Sequence, residues 1–265
     1  MSRILTALVL IPPLVVVIWL APAWGFVLLA HAVALLAVHE VFGLMEKRGY
    51  RPFRKLGYLA TAGLVASSHV DTAAEPWTLL LVILVIALAA ITRGAPSANS
   101  LAEVGVTLFG CLYVGILVGS LVGLRLTPPD TAGRRWVLFL LAVIMVGDTG
   151  AFYIGRALGR HRLAPSLSPN KTVEGFLGGL AASLATALAA SRALFSDIDM
   201  LRAAGLGLTL ALLGVGGDLF ESLLKRSAGV KDASSLIPGH GGVLDRLDGV
   251  LFASPALLFY VRVLC

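Results

Sequence analysis

Residues 218–248 read DLFESLLKRSAGVKDASSLIPGHGGVLDRLD, and long apolar runs flank this polar stretch on both sides. The two runs lie near residues 203–217 and 249–264. Apolar runs of this kind predict helices that cross a membrane. Ionisable side chains are costly at the end of such a helix, and they commonly mark a functional site. The sequence therefore predicts two membrane-spanning helices with a functional site between them.

The composition of the whole chain indicates a membrane protein. Of its 265 residues, 58% are hydrophobic and only 14% are charged, and a soluble domain has about a quarter charged residues. The strand alternation of an outer-membrane barrel is absent. We predict an all-α fold, a polytopic integral membrane helical bundle with about nine transmembrane helices. The apolar segments fall near residues 4–20, 24–45, 56–70, 77–92, 103–124, 136–155, 174–194, 203–217 and 249–264.

The N-terminal residues have a basic start and an apolar stretch, as a signal peptide does. A second apolar segment follows at once, so we interpret them as an uncleaved first helix. We divide the chain into N-terminal transmembrane helices, residues 1–100, and a C-terminal transmembrane region that carries the predicted site, residues 101–265. The two cysteines, Cys111 and Cys265, give no disulfide framework.

The distribution of positive charge predicts which side of the membrane the site faces. The formal net charge is +6, and with nine spans most loops rich in Lys and Arg fall on one side, which the positive-inside rule makes the cytoplasm. The loop with Arg125, Arg134 and Arg135 disagrees. We predict a multi-pass protein of the cell (inner) membrane whose site faces the cytoplasm. No basic segment is long or interleaved with aromatic residues, so no nucleic-acid partner is expected.

Four polar residues at the start of the quoted stretch share one face of a helix. Asp218, Glu221, Ser222 and Lys225 are spaced i, i+3, i+4 and i+7, and this spacing repeats the helical turn. We therefore expect the helix that begins near residue 203 to continue through DLFESLLKR. Its polar end would present two carboxylates with a cation one turn further on.

A second pair of carboxylates, Asp245 and Asp248, lies at the start of the last apolar segment. Between the two pairs, residues 238–242 read PGHGG, and such a run can turn sharply and bring backbone N–H groups close to an anion. Carboxylates at two helix ends suit Mg²⁺, which takes one or two of them and leaves positions for water and substrate phosphates. The alternative is a solvated cap in which these carboxylates pair with Lys225, Arg226 and Arg246.

A second polar region runs from residue 147 to residue 175. Asp148 lies inside an apolar segment, where a carboxylate is costly unless it binds a cation or lines a wet cavity. The stretch SPNKT at residues 168–172 predicts a helix start with Ser168 as the N-cap and Pro169 at the first helical position. Helix N-termini attract phosphate, and Lys171 adds charge. The cations near residues 156–162 fit topology and substrate binding equally well.

Several known routes to phosphate chemistry are missing from the sequence. There is no G-x-x-x-x-G-K-[ST] loop and no G-x-G-x-x-G after a strand. Phosphate chemistry here would depend on a metal ion, on Lys and Arg, and on helix ends. Glu40, beside His39 inside the second apolar segment, is unexplained at this level, and it fits either a lipid-head-group cavity or the end of the helix.

The run from residue 222 to residue 248 resembles the signature of the phosphatidate cytidylyltransferases, also called CDP-diacylglycerol synthases. Their pattern is S, then K-R, K-D, P-x-H-G-G and D-R-x-D. The residues that match it are Ser222, Lys225, Arg226, Lys231, Asp232, Pro238, His240, Gly241, Gly242, Asp245, Arg246 and Asp248. The upstream block GDTGAF through SPNKTVEG is similar to a second hallmark of the family.

The resemblance implies transfer of CMP from CTP to phosphatidate, which gives CDP-diacylglycerol and pyrophosphate with Mg²⁺. It also implies potassium as a second cation and a homodimer. By resemblance, Asp218 and Asp245 bind metal, and the catalytic set is Asp218, Lys225, Arg226, Asp245 and Asp248. The predicted substrate-binding residues are Asp148, Ser168, Lys171, Thr172, Glu174, Ser222, Lys231, His240, Gly241, Gly242 and Arg246.

Two alternative functions use the same residues differently. A CTP-dependent polyprenol or phytol kinase would transfer a phosphoryl group to a lipid alcohol and would need a base for the hydroxyl. A cation transporter would use Asp148, Asp218 and Asp245 as ion ligands, although transporters usually show broken helices near the midplane and repeat symmetry.

Overall fold

The computed structural model of the chain describes residues 16–70, 74–93, 98–195, 198–234 and 242–264. Residues 16–20 are helical, and eight helices and a two-stranded hairpin follow along the described ranges. In chain order they are α1 (Ala23–Lys47), α2 (Arg54–Val70), α3 (Ala74–Thr92), α4 (Ser100–Arg125), α5 (Asp130–Leu158), β1 (Arg162–Ala164), β2 (Ser168–Thr172), α6 (Val173–Leu194), α7 (Met200–Ser227) and α8 (Leu244–Phe259). A π-helical turn, Tyr260–Leu264, continues α8.

Six helices in the described ranges are long and apolar enough to cross a membrane. They are α1, α4, α5, α6, α7 and the continuous helix Leu244–Leu264, whereas the apolar part of α3, Pro76–Thr92, is shorter. The predicted all-α, polytopic helical bundle is confirmed. The count of nine spans is not confirmed: α2 and the apolar part of α3 are shorter than the six candidate spans, and the first apolar segment lies largely outside the described residues.

The helices pack around α4, which contacts α1, α2 and α8. On the other side, α5 packs along α6, α6 packs against α7, and α7 packs against α8. Fully buried side chains such as Phe42, Val122, Phe139 and Leu257 fill the core. Because lipid tails are as apolar as these side chains, close van der Waals packing is what associates helices in a membrane.

The start of α6 differs from the sequence-based prediction. Ser168 and Pro169 do not begin a helix, because residues 168–172 form β2, which pairs antiparallel with β1. The N-cap is Thr172, whose Oγ1 accepts a hydrogen bond from Gly175 N at 3.1 Å. Both Ser168 and Thr172 are good N-cap residues. Because residues 168–172 pair with β1, the helix begins only after Thr172.

In the loop that disagrees with the positive-inside assignment, two of the three arginines share one carboxylate. The Arg125 side chain is fully buried, and its Nη1 lies 2.5 Å from Asp130 Oδ1. Arg134 Nη2 lies 2.6 Å from the other oxygen of the same carboxylate. Asp130 thus links the C-terminal end of α4 to the first turn of α5 through both arginines, and the loop still departs from the positive-inside assignment.

Candidate active site

A cavity of about 730 Å³ opens at one end of the bundle. The C-terminal parts of α5 and α7, the N-terminal parts of α6 and α8, and strand β2 meet around it. Five acidic and four basic residues line it: Asp148, Asp218, Glu221, Asp245, Asp248, Arg156, Lys171, Lys225 and Arg246. The structure therefore brings the two polar regions of the sequence together in one cavity.

The first half of this lining centres on Asp218. Its Oδ2 lies 2.5 Å from the Nζ of Lys171, so β2 is joined to α7 across the cavity. Asp148 and Asp248 line the same cavity as Asp218. Three carboxylates in one cavity, with one lysine beside Asp218, form a region that favours cations.

The second half centres on Lys225, whose ammonium group bridges two carboxylates. Its Nζ lies 2.5 Å from Asp245 Oδ1 and 3.1 Å from Glu221 Oε2. The Lys225 and Asp245 side chains are 13% and 12% exposed, and that of Glu221 is 1% exposed. Because the i, i+4 spacing places Glu221 one turn before Lys225 on α7, the predicted polar face of this helix is present.

Asp245 also fixes the backbone on both sides of residues 235–241. Its Oδ2 accepts hydrogen bonds from Gly242 N at 2.7 Å and from Ala233 N at 3.2 Å. The carboxylate thus joins the chain that leaves α7 to the chain that enters α8. Asp245 has a structural role here in addition to the role that the sequence predicts for it.

A glycine permits α7 and α8 to approach closely. A Cβ at position 217 would lie 2.5 Å from the carbonyl oxygen of Asp248 and 2.6 Å from Phe252 Cβ. No side chain fits in that space. Gly217 therefore sets the distance between α7 and α8 at the level of Asp218 and Asp248.

The remaining predicted residues lie at the edge of the cavity or away from it. Thr172 lines the cavity and caps α6. Arg226 Nε donates to Leu167 O at 3.2 Å, so this guanidinium holds the hairpin against α7. Glu174 accepts from the backbone N–H groups of Arg160 and His161 at 3.0 and 3.2 Å.

Five further positions complete the comparison with the prediction. Ser222 is buried in α7, Ser168 lies on β2, and Lys231 is exposed after α7. His240 and Gly241 lie outside the described residues.

Several lining residues had no assigned role in the sequence-based site. In the sequence, Arg156 fits topology and substrate binding equally well, and Glu221 lies on the polar helix face without a predicted role of its own. The apolar lining, which includes Phe152, Phe176 and Val215, carries no signal in the sequence, because these residues look like any others in a span. Only the helix packing reveals that they border a polar cavity.

The donor set of the cavity fits a hard divalent cation such as Mg²⁺. All its candidate ligands are carboxylate oxygens, and Glu221 Oε1 is buried without a hydrogen-bond partner among the described residues. No three His, Cys, Asp or Glu residues in the described ranges are arranged to hold a metal by themselves. Mg²⁺ commonly uses one or two carboxylates with water and substrate phosphates, so it does not need such a trio.

Comparison with known proteins identifies the family. The model of the cytidylyltransferase family matches residues 1–264. A phosphatidate cytidylyltransferase of Bacillus subtilis (strain 168) is 38% identical over 157 residues, which cover 59% of this chain and 58% of the relative. One of Staphylococcus aureus (strain COL) is 43% identical over 125 residues, covering 47% of this chain and 48% of the relative. The aligned part of the chain thus spans about half the length of these relatives.

The comparisons give no support to a lipid kinase or a cation transporter. The family model covers almost the whole chain, including the N-terminal helices, for which the sequence alone offered only hydrophobicity. The resemblance drawn from residues 222–248 is confirmed at the level of the family. The chain belongs to the cytidylyltransferase family.

Proposed function

We propose that the protein is a phosphatidate cytidylyltransferase, which transfers CMP from CTP to phosphatidate and releases pyrophosphate. The observation that carries the proposal is the cavity at the end of the membrane helices, where carboxylates and cations are interleaved. The names of the relatives from Bacillus subtilis and Staphylococcus aureus support the same activity.

The lining of the cavity suits both substrates. Arg156, Lys171, Lys225 and Arg246 can neutralise the phosphates of CTP and of phosphatidate. Phe152 is 46% exposed and borders the cavity, so an apolar surface lies beside the charged one. A water-soluble nucleotide and a diacyl lipid can therefore meet here without either leaving its own phase.

The chemistry requires positioning and charge neutralisation more than proton transfer. A phosphate oxygen of phosphatidate attacks the α-phosphorus of CTP, a new P–O bond forms, and the bond between the α-phosphorus and the bridging oxygen breaks. The electron pair leaves with pyrophosphate. Because the attacking phosphate is already an anion, no general base is needed, and catalysis comes from orientation and from cations near the developing charge.

We propose that Asp218 and Asp245 hold Mg²⁺, with Asp148 and Asp248 adding negative charge to the same cavity. When bound, the ion would neutralise phosphate oxygens and orient the nucleotide. Lys171 and Lys225, which pair with the two ligand carboxylates, would bind phosphate oxygens beside it. The other predicted substrate contacts, the potassium ion and the homodimer stay predictions.

We further propose that the protein lies in the cell membrane with the cavity facing the cytoplasm. The ends of α1, α5 and α7 nearest the cavity carry Lys47, Arg156 and Lys225, and the positive-inside rule favours this orientation. CTP would then arrive from the cytoplasm and phosphatidate from the adjacent leaflet.

The decisive experiment is incubation of the purified protein with radiolabelled CTP and phosphatidate in mixed micelles. The expected result is a labelled liponucleotide and an equal amount of pyrophosphate. A labelled phospholipid formed from an alcohol acceptor would instead indicate a kinase, and absence of both products would contradict the proposal.

The orientation is tested with Lys231→Cys in a variant that lacks Cys111 and Cys265. The new cysteine is labelled with a reagent that does not cross the membrane. Reaction in inside-out vesicles and not in intact cells is expected.

A further inference from the structure

The buried carboxylate of Glu40 lies against the N-terminus of α8, far from it in sequence. Glu40 is 1% exposed and belongs to α1. Its Oε1 accepts from Val243 N at 2.9 Å, and its Oε2 accepts from Leu244 N at 2.9 Å. Ser234 Oγ donates to Oε1 at 2.6 Å. A residue of the N-terminal helices thus contacts the chain on both sides of residues 235–241.

Glu40 supplies the cap that α8 does not provide for itself. The N-cap residue of α8 is Val243, which makes no side-chain capping bond. The first N–H groups of a helix need acceptors, and an acidic group there also interacts favourably with the helix dipole. These donors give a buried carboxylate the hydrogen bonds that its burial requires.

The close fit around Glu40 also explains a residue of the signature. A Cβ at position 242 would lie 2.5 Å from Glu40 Oε2, so only glycine leaves room for the carboxylate. Gly242 N donates at the same time to Asp245 Oδ2 at 2.7 Å. Glu40 and Asp245 therefore accept hydrogen bonds from three consecutive backbone amides, those of residues 242–244.

We infer that Glu40 is a positioning residue that sets the place of Asp245 and Asp248 by capping the helix on which both lie. The inference deepens the proposed function and rests on it for its effect on turnover. Glu40 does not line the cavity and need not touch a substrate. Its effect passes through the backbone amides of Val243 and Leu244, which are one to five residues from the two carboxylates.

The test compares Glu40→Gln with a matched control, Glu103→Gln. Glu103 is also a buried carboxylate, 9% exposed, but it pairs with Arg93 at 3.0 Å and does not line the cavity. Glutamine keeps the size of glutamate, yet its amide group turns a donor toward one of the α8 N–H groups. The readouts are hydrogen exchange of residues 242–250, the melting temperature, and kcat and KM for CTP.

For Glu40→Gln we expect faster exchange confined to residues 242–250 and a fall in kcat on the order of 100-fold, because small misplacement of reacting groups has effects of this size. KM for CTP should change much less, and Glu40→Asp should recover part of kcat. Glu103→Gln should change neither the exchange of this segment nor kcat.

Equal changes in both variants would overturn the inference, since Glu40 would then be only a stabilising residue. Unchanged exchange at residues 242–250 in Glu40→Gln would overturn the capping role itself. If the wild-type protein forms no liponucleotide, the proposed function fails, while the exchange measurement still decides whether Glu40 holds α8.

Discussion

The Nζ of Lys171 lies 2.5 Å from Oδ2 of Asp218, and this contact joins the strand before α6 to the polar end of α7. The two residues come from the two polar regions of the sequence, which the fold brings to one cavity. A cation from one region therefore directly balances a carboxylate from the other. Because both residues line the cavity, replacing either should affect substrates before it affects the fold.

Asp218→Asn should lower turnover by at least about 100-fold, the usual scale for losing one electrostatic contact to a reacting group. The side chain is 38% exposed, so the melting temperature in detergent should hardly change. Liponucleotide formation and thermal unfolding, measured on the same preparation, check both parts. Normal turnover would refute the metal assignment for this residue.

Asp245→Asn should abolish turnover and also destabilise the protein. The carboxylate pairs with Lys225 and accepts from the backbone of Gly242 and Ala233. Breaking a buried pair on one side costs about 3 kcal/mol or more. The melting temperature should therefore fall clearly below that of Asp218→Asn, and equal melting temperatures would argue against the structural role of Asp245.

Lys171→Ala should raise KM for CTP, because the lysine is one of four cations that line the cavity. An exposed arginine at the other end of α6, Arg192, provides the control. Steady-state kinetics with varied CTP should show the rise for Lys171→Ala and wild-type values for Arg192→Ala. Unchanged kinetics in Lys171→Ala would limit this segment to a role in topology.

Removal of divalent cations by a chelator should stop the release of pyrophosphate, and added Mg²⁺ should restore it. Oxygen-only donor sets favour this ion over softer metals. A coupled pyrophosphate assay before and after chelation measures the effect. Persistent release under chelation would contradict a metal-assisted reaction.

Gly217→Ala should destabilise the protein by about 1–3 kcal/mol, the usual cost of overpacking. The added Cβ would meet the backbone of α8 at Asp248. Gly205, on the same helix, has no atom within 4 Å of an added Cβ. Gly205→Ala should therefore be neutral or stabilising by up to about 1 kcal/mol through helix propensity, and thermal unfolding of the pair separates packing from propensity.

The sequence was sufficient for the parts of the site that depend on local spacing. The helical period alone places Asp218, Glu221 and Lys225 on one face, and the extension of α7 to Ser227 follows the same period. Contacts between segments that are distant in the chain could not be predicted from the sequence. Nothing near Ser168 distinguishes a helix start from a strand, since the deciding hydrogen bonds come from β1.

Glu40 shows the same limit more clearly. In the sequence it is one carboxylate in an apolar segment, and its nearest neighbours offer no reason for it. Its backbone partners are 203 and 204 residues further along the chain, and Ser234 is 194 residues further along. A pattern of local periodicity cannot report a pairing at that separation.

Because Glu40 and Val243 are 203 residues apart, they are synthesised at different times. Synthesis runs from the N-terminus, so α1 enters the membrane long before Val243 and Leu244 exist. Throughout this interval the Glu40 carboxylate lacks the amides that later satisfy it, and an unsatisfied carboxylate is costly in lipid. Insertion of α8 therefore supplies the partners that α1 lacks until then, and a nascent chain that stops short of α8 leaves the Glu40 carboxylate without these two amides.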